Sequence, residues 1–150
     1  GVEPTHSFFS RMEFGNEIER RVVPLVADHL FPAHQAGNAS DSAVRRLARR
    51  LAPATIRELV WVSEADHRGR TVPFDGFPSG TALLAQAEML AVGTSRPQPI
   101  LMGRYLIEML GWKPGKYFGP ILKAVEEAQI EGRITTLEEA LEMAQSLKEV

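Results

Sequence analysis

Apolar residues recur along this chain at spacings of three and four, the period of an α-helix with one face buried, and no stretch shows the alternation of a strand. Ile18, Val22, Leu25 and Val26 form a first stripe, with Asn16 as its cap and Pro24 inside it, where a missing N–H and a crowded preceding turn predict a kink. Val44, Leu47, Ala48 and Leu51 form the next, entered through Ser40 or Asp41. Pro53 stops that helix and is placed to open the following one, whose face is Ile56, Leu59, Val60 and Ser63. Gly69, Pro73, Gly76, Pro78 and Gly80 make residues 68–80 a loop. Ser79 then caps a helix facing inward with Leu83, Leu84, Ala87, Leu90 and Ala91.

The segment from Gly93 to Pro99, rich in Gly, Pro, Ser and Thr, reads as a boundary between residues 1–94 and 95–150. Beyond it Leu106, Met109 and Leu110 give a short helix ended by Gly111. Phe118, Ile121, Leu122 and Val125 give a longer one, with Gly132 just past its end. Thr135 and Glu138 have capping-box spacing, and Ala140, Leu141, Ala144 and Leu147 line the last helix. The expectation is an all-α protein of seven to eight helices, a bundle followed by a smaller helical arm.

Composition narrows the function classes. The chain has 150 residues and no cysteine, which excludes disulfides and thiolate metal sites and fits a reducing cytoplasm. No apolar run reaches the roughly 20 residues that cross a bilayer, and the first residues lack a secretion signal pattern. The net charge of −2 hides an uneven distribution. Residues 34–70 carry seven arginines against four acids, residues 96–123 five basic side chains against Glu108 alone, and residues 124–150 seven acids against Arg133 and Lys148. Two basic segments and an acidic tail suit a nucleic-acid binder, which needs a local positive face and no high overall pI. Solvated helix faces would look the same.

Two clusters carry candidate chemistry. In Lys113-Pro114-Gly115-Lys116, Pro114 sets one φ and Gly115 frees the next, so a turn is expected, with a helix beginning near Tyr117 or Phe118 because Pro120 fits only a first turn. Unpaired N–H groups at that start, with Lys113 and Lys116 beside them and no side chain on Gly119, make a seat for a phosphate. The alternative is a helix corner held by Trp112 and Phe118 with lysines merely exposed. In the second cluster, Arg45, Arg46, Arg49 and Arg50 set like charges four apart, a cost of a few tenths of a kcal/mol per pair that an RNA backbone, or Asp41, Glu58 or Glu64 within the fold, would offset. His6, His29, His34 and His67 have no metal-pair spacing, and no phosphate-binding loop or dinucleotide fingerprint is present.

The order Pro99-Ile100-Leu101-Met102-Gly103-Arg104-Tyr105-Leu106-Ile107, then Leu110-Gly111-Trp112-Lys113-Pro114-Gly115-Lys116-Tyr117-Phe118-Gly119-Pro120-Ile121-Leu122, then Glu131-Gly132-Arg133-Ile134 through Leu141, resembles the C-terminal arm of bacterial CCA-adding tRNA nucleotidyltransferases and poly(A) polymerases. Phe9-Ser10-Arg11-Met12, Val22 to His29, Asp41 to Ala48 and Ala65 to Arg70 are similar to the late part of the HD-type domain that precedes that arm. Tyr105 stands where such arms carry an acid, the His-Asp doublet is absent, and so is the Gly-Ser with paired acids needed to hold two metal ions. The resemblance therefore implies a non-catalytic tail that binds tRNA or other structured RNA. It implies that the divalent metal and nucleotide belong to an upstream catalytic domain of the same polypeptide, with no cofactor in this chain. The RNA contacts implied are Arg104, Lys113, Gly115, Lys116 and Gly119, then Arg45, Arg46, Arg49 and Arg50. Two other readings stand beside it: a remnant of an HD-type metal-dependent phosphohydrolase, and a helical protein-interaction or dimerisation module, which the acidic, amphipathic last helix suits and which would make a homodimer.

Overall fold

The computed structural model describes residues 1–12, 15–35 and 38–148. Among them every regular element is a helix: α1 (Val2–Met12), α2 (Asn16–Asp28), α3 (Phe31–His34), α4 (Asp41–Leu51), α5 (Ile56–Arg68), α6 (Pro78–Met89), α7 (Gly103–Glu108), α8 (Phe118–Ile130) and α9 (Leu137–Lys148). The all-α class is as the periodicity reads. Two helices, α1 and the single turn α3, were not among the stripes; α1 buries only Phe9, too little to mark a face. The chain divides into two compact units, Gly1–Pro97 and Gln98–Val150.

The first unit is built on the stripes of α2, α4, α5 and α6. Leu25, Val44, Leu47, Leu51, Ile56, Leu59, Leu83 and Ala87 interdigitate as one core, and Leu47, Leu51, Ile56 and Leu59 are fully enclosed. Burying a side chain of that size contributes about 1.5–3 kcal/mol relative to leaving it in water. Ile18 does not join the stripe of α2 and stays half exposed. Polar clamps lie around this core. Arg21 donates two hydrogen bonds to Glu58 Oε1 (2.6 and 2.9 Å), joining α2 to α5. Arg57 reaches Glu88 (2.8 Å), joining α5 to α6, and Gln86 donates to the Ala39 carbonyl and to Asp41 at the start of α4. The buried Ser63 hydroxyl donates to the His29 carbonyl oxygen (2.6 Å), which satisfies the one polar side chain of that stripe.

Helix ends show where local chemistry was read correctly and where it shifts. Ser40 caps α4 by accepting from the Ala43 N–H (3.2 Å). Asn16 does not cap α2: Gly15 holds that position, and Asn16 is already in the first turn. Ser79 likewise lies inside α6, which starts at Pro78 behind Phe77. Pro53 ends α4 but does not open α5. Thr55 does, through a full capping box in which Glu58 N–H reaches Thr55 Oγ1 (3.2 Å) and Thr55 N–H reaches Glu58 Oε2 (2.9 Å).

Burial pushes the Glu58 carboxyl up, but the Arg21 and Thr55 hydrogen bonds outweigh it and hold it below the usual carboxylate range. A group depressed in the folded state adds stability above its unfolded pKa and loses it as pH falls through the folded value. The first unit is therefore expected to lose melting temperature as pH falls below about 4.3, the ordinary Glu value. Glu58→Gln should remove part of that slope while lowering the midpoint at pH 7, as read by thermal melts from pH 7 to 3.

The second unit encloses Leu101, Leu106, Ile121, Val125, Ala128, Ile134, Ala140, Leu141 and Ala144 between α7, α8 and α9. Gln129 ties the incoming chain to α8: its Nε2 donates to the Gln98 carbonyl (2.7 Å) and its Oε1 accepts from the Ile100 N–H (2.9 Å). Gly111 and Gly132 end α7 and α8 at φ +64° and +76°, a backbone region closed to most side chains. The cap of α9 is one residue later than its sequence spacing suggests. Thr136 and Glu139 form it, with the Thr135 and Thr136 N–H groups both donating to Glu139 Oε2 (2.7 and 3.1 Å). Those two backbone donors hold the Glu139 carboxyl below its usual range.

Candidate functional site

The Lys113–Lys116 turn lies between α7 and α8, and its shape follows from the residues around it. Gly111, in its left-handed conformation, donates to the Ile107 carbonyl (3.1 Å), and Trp112 N–H turns back to Leu106 (3.1 Å). Trp112 is thus set facing Tyr117 and Phe118, with ring centroids 5.9 and 6.4 Å away, and Tyr117 and Phe118 meet edge to face at 5.2 Å. The Tyr117 hydroxyl donates to the Lys113 carbonyl (2.6 Å) and Phe118 N–H to the Gly115 carbonyl (3.0 Å), closing the turn from both sides. Helix α8 begins at Phe118, so Pro120 falls in its first turn, where the lost N–H has no intrahelical use.

On this rigid backing Lys113, Gly115 and Lys116 are exposed. Neither lysine has an ion-pair partner among the described residues. Gly115 cannot be replaced without movement, because an added Cβ would lie 2.7 Å from Cε1 of the Tyr117 ring. Gly119 differs: an added Cβ would meet nothing within 4 Å, so the first turn of α8 is open to a close-approaching group. Lys148, in the last turn of α9, sits over the Trp112 ring (4.2 Å to the centroid) and near Tyr117 (5.4 Å), a cation–π contact that brings a third positive charge to the turn. Sequence reading missed it, because one lysine at the end of an acidic helix gives no sign of what it folds against.

Gly115→Ala is expected to lower the melting midpoint of the second unit modestly, because the Tyr117 ring must shift from its hydrogen bond to the Lys113 carbonyl to admit the methyl group. The aromatic ring is the obstacle, so Gly115→Ala combined with Tyr117→Ala should cost less than the sum of the two single variants. A double-mutant cycle on melting midpoints reads this directly.

The remaining candidates sit elsewhere. Arg104 is exposed on α7 and is occupied by its neighbour. It donates to the Tyr105 hydroxyl (3.0 Å) and lies over that ring, which holds the guanidinium firmly charged. In α4, Arg50 forms a bidentate pair with Asp28 (2.7 and 2.8 Å), a partner other than the Asp41, Glu58 or Glu64 the sequence offers. Asp41 is engaged by Gln86, Glu58 by Arg21, and Glu64 by Arg68. Arg45, Arg46 and Arg49 are half-buried and also interact with other groups. Three histidines serve local roles: His6 contacts Glu19 (2.6 Å), His29 the Val26 carbonyl (2.7 Å), and His67 the Phe74 and Phe77 rings. Among the described residues no three His, Asp or Glu side chains are grouped to hold a metal ion, and no helix is long and apolar enough to cross a membrane.

Three relatives carry related names. The chain is 23% identical over 141 residues to a CCA-adding enzyme of Streptococcus suis, which covers 94% of this chain and 31% of that protein. It is 26% identical over 143 residues to an A-adding tRNA nucleotidyltransferase of Deinococcus radiodurans, 93% of this chain and 32% of that protein. A 53-residue stretch is 42% identical to a CC-adding tRNA nucleotidyltransferase of Synechocystis. The chain resembles the tRNA nucleotidyltransferases. It spans about a third of the length of the first two of these relatives. No family model matches the chain, and no solved structure matches it.

Proposed function

We propose that this chain is the RNA-holding tail of a tRNA nucleotidyltransferase-like protein, and that it performs no nucleotidyl transfer by itself. The observation that carries the reading is the pair of exposed lysines, free of ion pairs among the described residues, on a turn stiffened by Trp112, Tyr117 and Phe118. A surface lysine costs little to leave unpaired, but two on one rigid turn offer a preorganised contact for a phosphate backbone. Gly119 keeps the approach open, and Lys148 adds charge over the Trp112 ring. Arg104, in the same unit, adds positive charge but already has a partner in Tyr105, and the α4 arginines of the first unit are likewise engaged.

Such contacts recognise the shape and backbone of RNA and read little sequence. Titration of the chain with tRNA at several salt concentrations is expected to give binding whose logarithm falls linearly with the logarithm of salt. Double-stranded DNA of equal length should bind more weakly. Absence of tRNA binding at low salt would sink the reading and leave the interaction-module alternative, which a dimer in light scattering would support.

A further inference from the structure

We propose that the cleft in the first unit lined by Arg20, Ala52, Pro53, Ala54, Thr55, Thr94, Ser95 and Arg96 binds a phosphate group carried on a nucleotide. Its volume of about 430 Å³ lies in the range of small-ligand sites, roughly 300–1,000 Å³. That is more room than a bare phosphate fills.

The lining divides by chemistry. Among the described residues, two guanidinium groups, Arg20 and Arg96, line it, and no carboxylate does. Neither arginine has an ion-pair or hydrogen-bond partner among the described residues, although most other arginines of this unit do. Arg21 is taken by Glu58, Arg50 by Asp28, Arg57 by Glu88, Arg68 by Glu64 and Arg70 by Asp66. Glu19, beside Arg20 in sequence, is turned to His6 (2.6 Å). Glu17 lines an adjoining hollow with Arg20, Arg21 and Pro53, not this cleft. Two permanently charged forks, each able to grip oxygen atoms bidentately, therefore share a concavity with no acid among its described lining residues.

The hydroxyl groups sort in the same way. Thr55 is committed to the capping box of α5. Thr94 and Ser95 have no partner among the described residues, which leaves both hydroxyls available to phosphate oxygens. Their segment is anchored just before them, since the Gly93 carbonyl accepts from Arg57 N–H (3.0 Å) and Val92 N–H reaches Ala87 (2.8 Å). Ala52, Pro53 and Ala54 give the cleft small apolar walls against which a ribose or base fits without losing a hydrogen bond. A phosphate oxyanion with an organic body is the chemistry this combination accepts. A mononucleotide and one unit of an RNA strand both provide it.

The test uses amide and guanidinium NMR of the whole chain, titrated separately with adenosine 5′-monophosphate, inorganic phosphate and a short single-stranded RNA. Shifts at Ala54, Thr94, Ser95 and the Arg20 and Arg96 Nε–H groups are expected with the mononucleotide, weaker ones with inorganic phosphate. Arg20→Met with Arg96→Met should reduce the mononucleotide affinity at least tenfold. Both arginines are exposed, so the fold should survive, and unchanged shifts in the core would show that. A response to RNA and not to the mononucleotide assigns the site to a strand phosphate and also supports the inference. No response at these residues to any of the three probes overturns it, as does unchanged mononucleotide affinity in the double variant. The Lys113 and Lys116 turn takes no part in the mononucleotide arm, so failure here leaves the tRNA reading standing, and failure of tRNA binding leaves this cleft standing.

Discussion

Reversing the charge of the turn, with Lys113→Glu and Lys116→Glu together, is expected to weaken tRNA binding on the order of a hundredfold and to reduce the salt slope by about two. Each lysine that meets a phosphate releases about one counterion, so losing two contacts removes about two units of slope. Placing carboxylates there adds repulsion to the loss. Phosphates carry no sequence information, so the weakening should be uniform across RNA sequences. The fold should not change, because both side chains are exposed and no ion pair is broken among the described residues. Helical circular dichroism checks that point. Affinity and slope that match the unaltered chain would remove the turn from the RNA surface.

Leu106→Ala should have the largest effect on stability. Leu106 is fully enclosed in the core of the second unit, and truncating such a side chain costs about 2–5 kcal/mol through lost burial and the cavity left behind. That unit runs from Gln98 to Val150. A domain so small buries a modest fraction of its surface and has little stability to spare. The variant is therefore expected to lose hydrogen-exchange protection across α8 at 37 °C and tRNA binding with it. Leu47→Ala, fully enclosed in the first unit, should cost a similar amount but register in α4 and α5. If Leu106→Ala stripped protection from α5 as fully as from α8, the two cores would be unfolding as one.

The turn and the two helix-ending glycines were legible in the sequence because their signals are local, whereas Gly115 is held by the Tyr117 ring and has no positive φ. Pro114 and Pro120 restrict their own backbone angles, and Gly111 and Gly132 stand where helices end. The misplaced caps failed for the opposite reason. Asn16, Ser79 and the Thr135–Glu138 pair each have suitable capping chemistry, but α2 and α6 begin behind Gly15 and Phe77 with no side-chain cap, and Thr136 takes the place of Thr135. Packing decides which residue leaves the helix. The α4 arginines show a similar limit. Their crowding was visible, and the partner of Arg50 was not, since Asp28 comes from a helix 22 residues earlier.

Periodicity alone determined that this protein is helical, because a 3.6-residue repeat of apolar side chains can be buried in only one way. It also picked out the buried faces of α4, α5 and α8, while Ile18, Ala91, Met109 and Leu147, read as inward, stay exposed, and charge runs located the basic segments. Tertiary structure decided which charges remain available. Arg21, Arg50 and Arg57 look no different in sequence from Arg20 and Arg96, yet the first three are paired and the last two share a cleft. Lys148 lies in an acidic tail in sequence and against Trp112 in space. Pairing depends on distances between residues remote along the chain, and those distances exist only once the helices have packed.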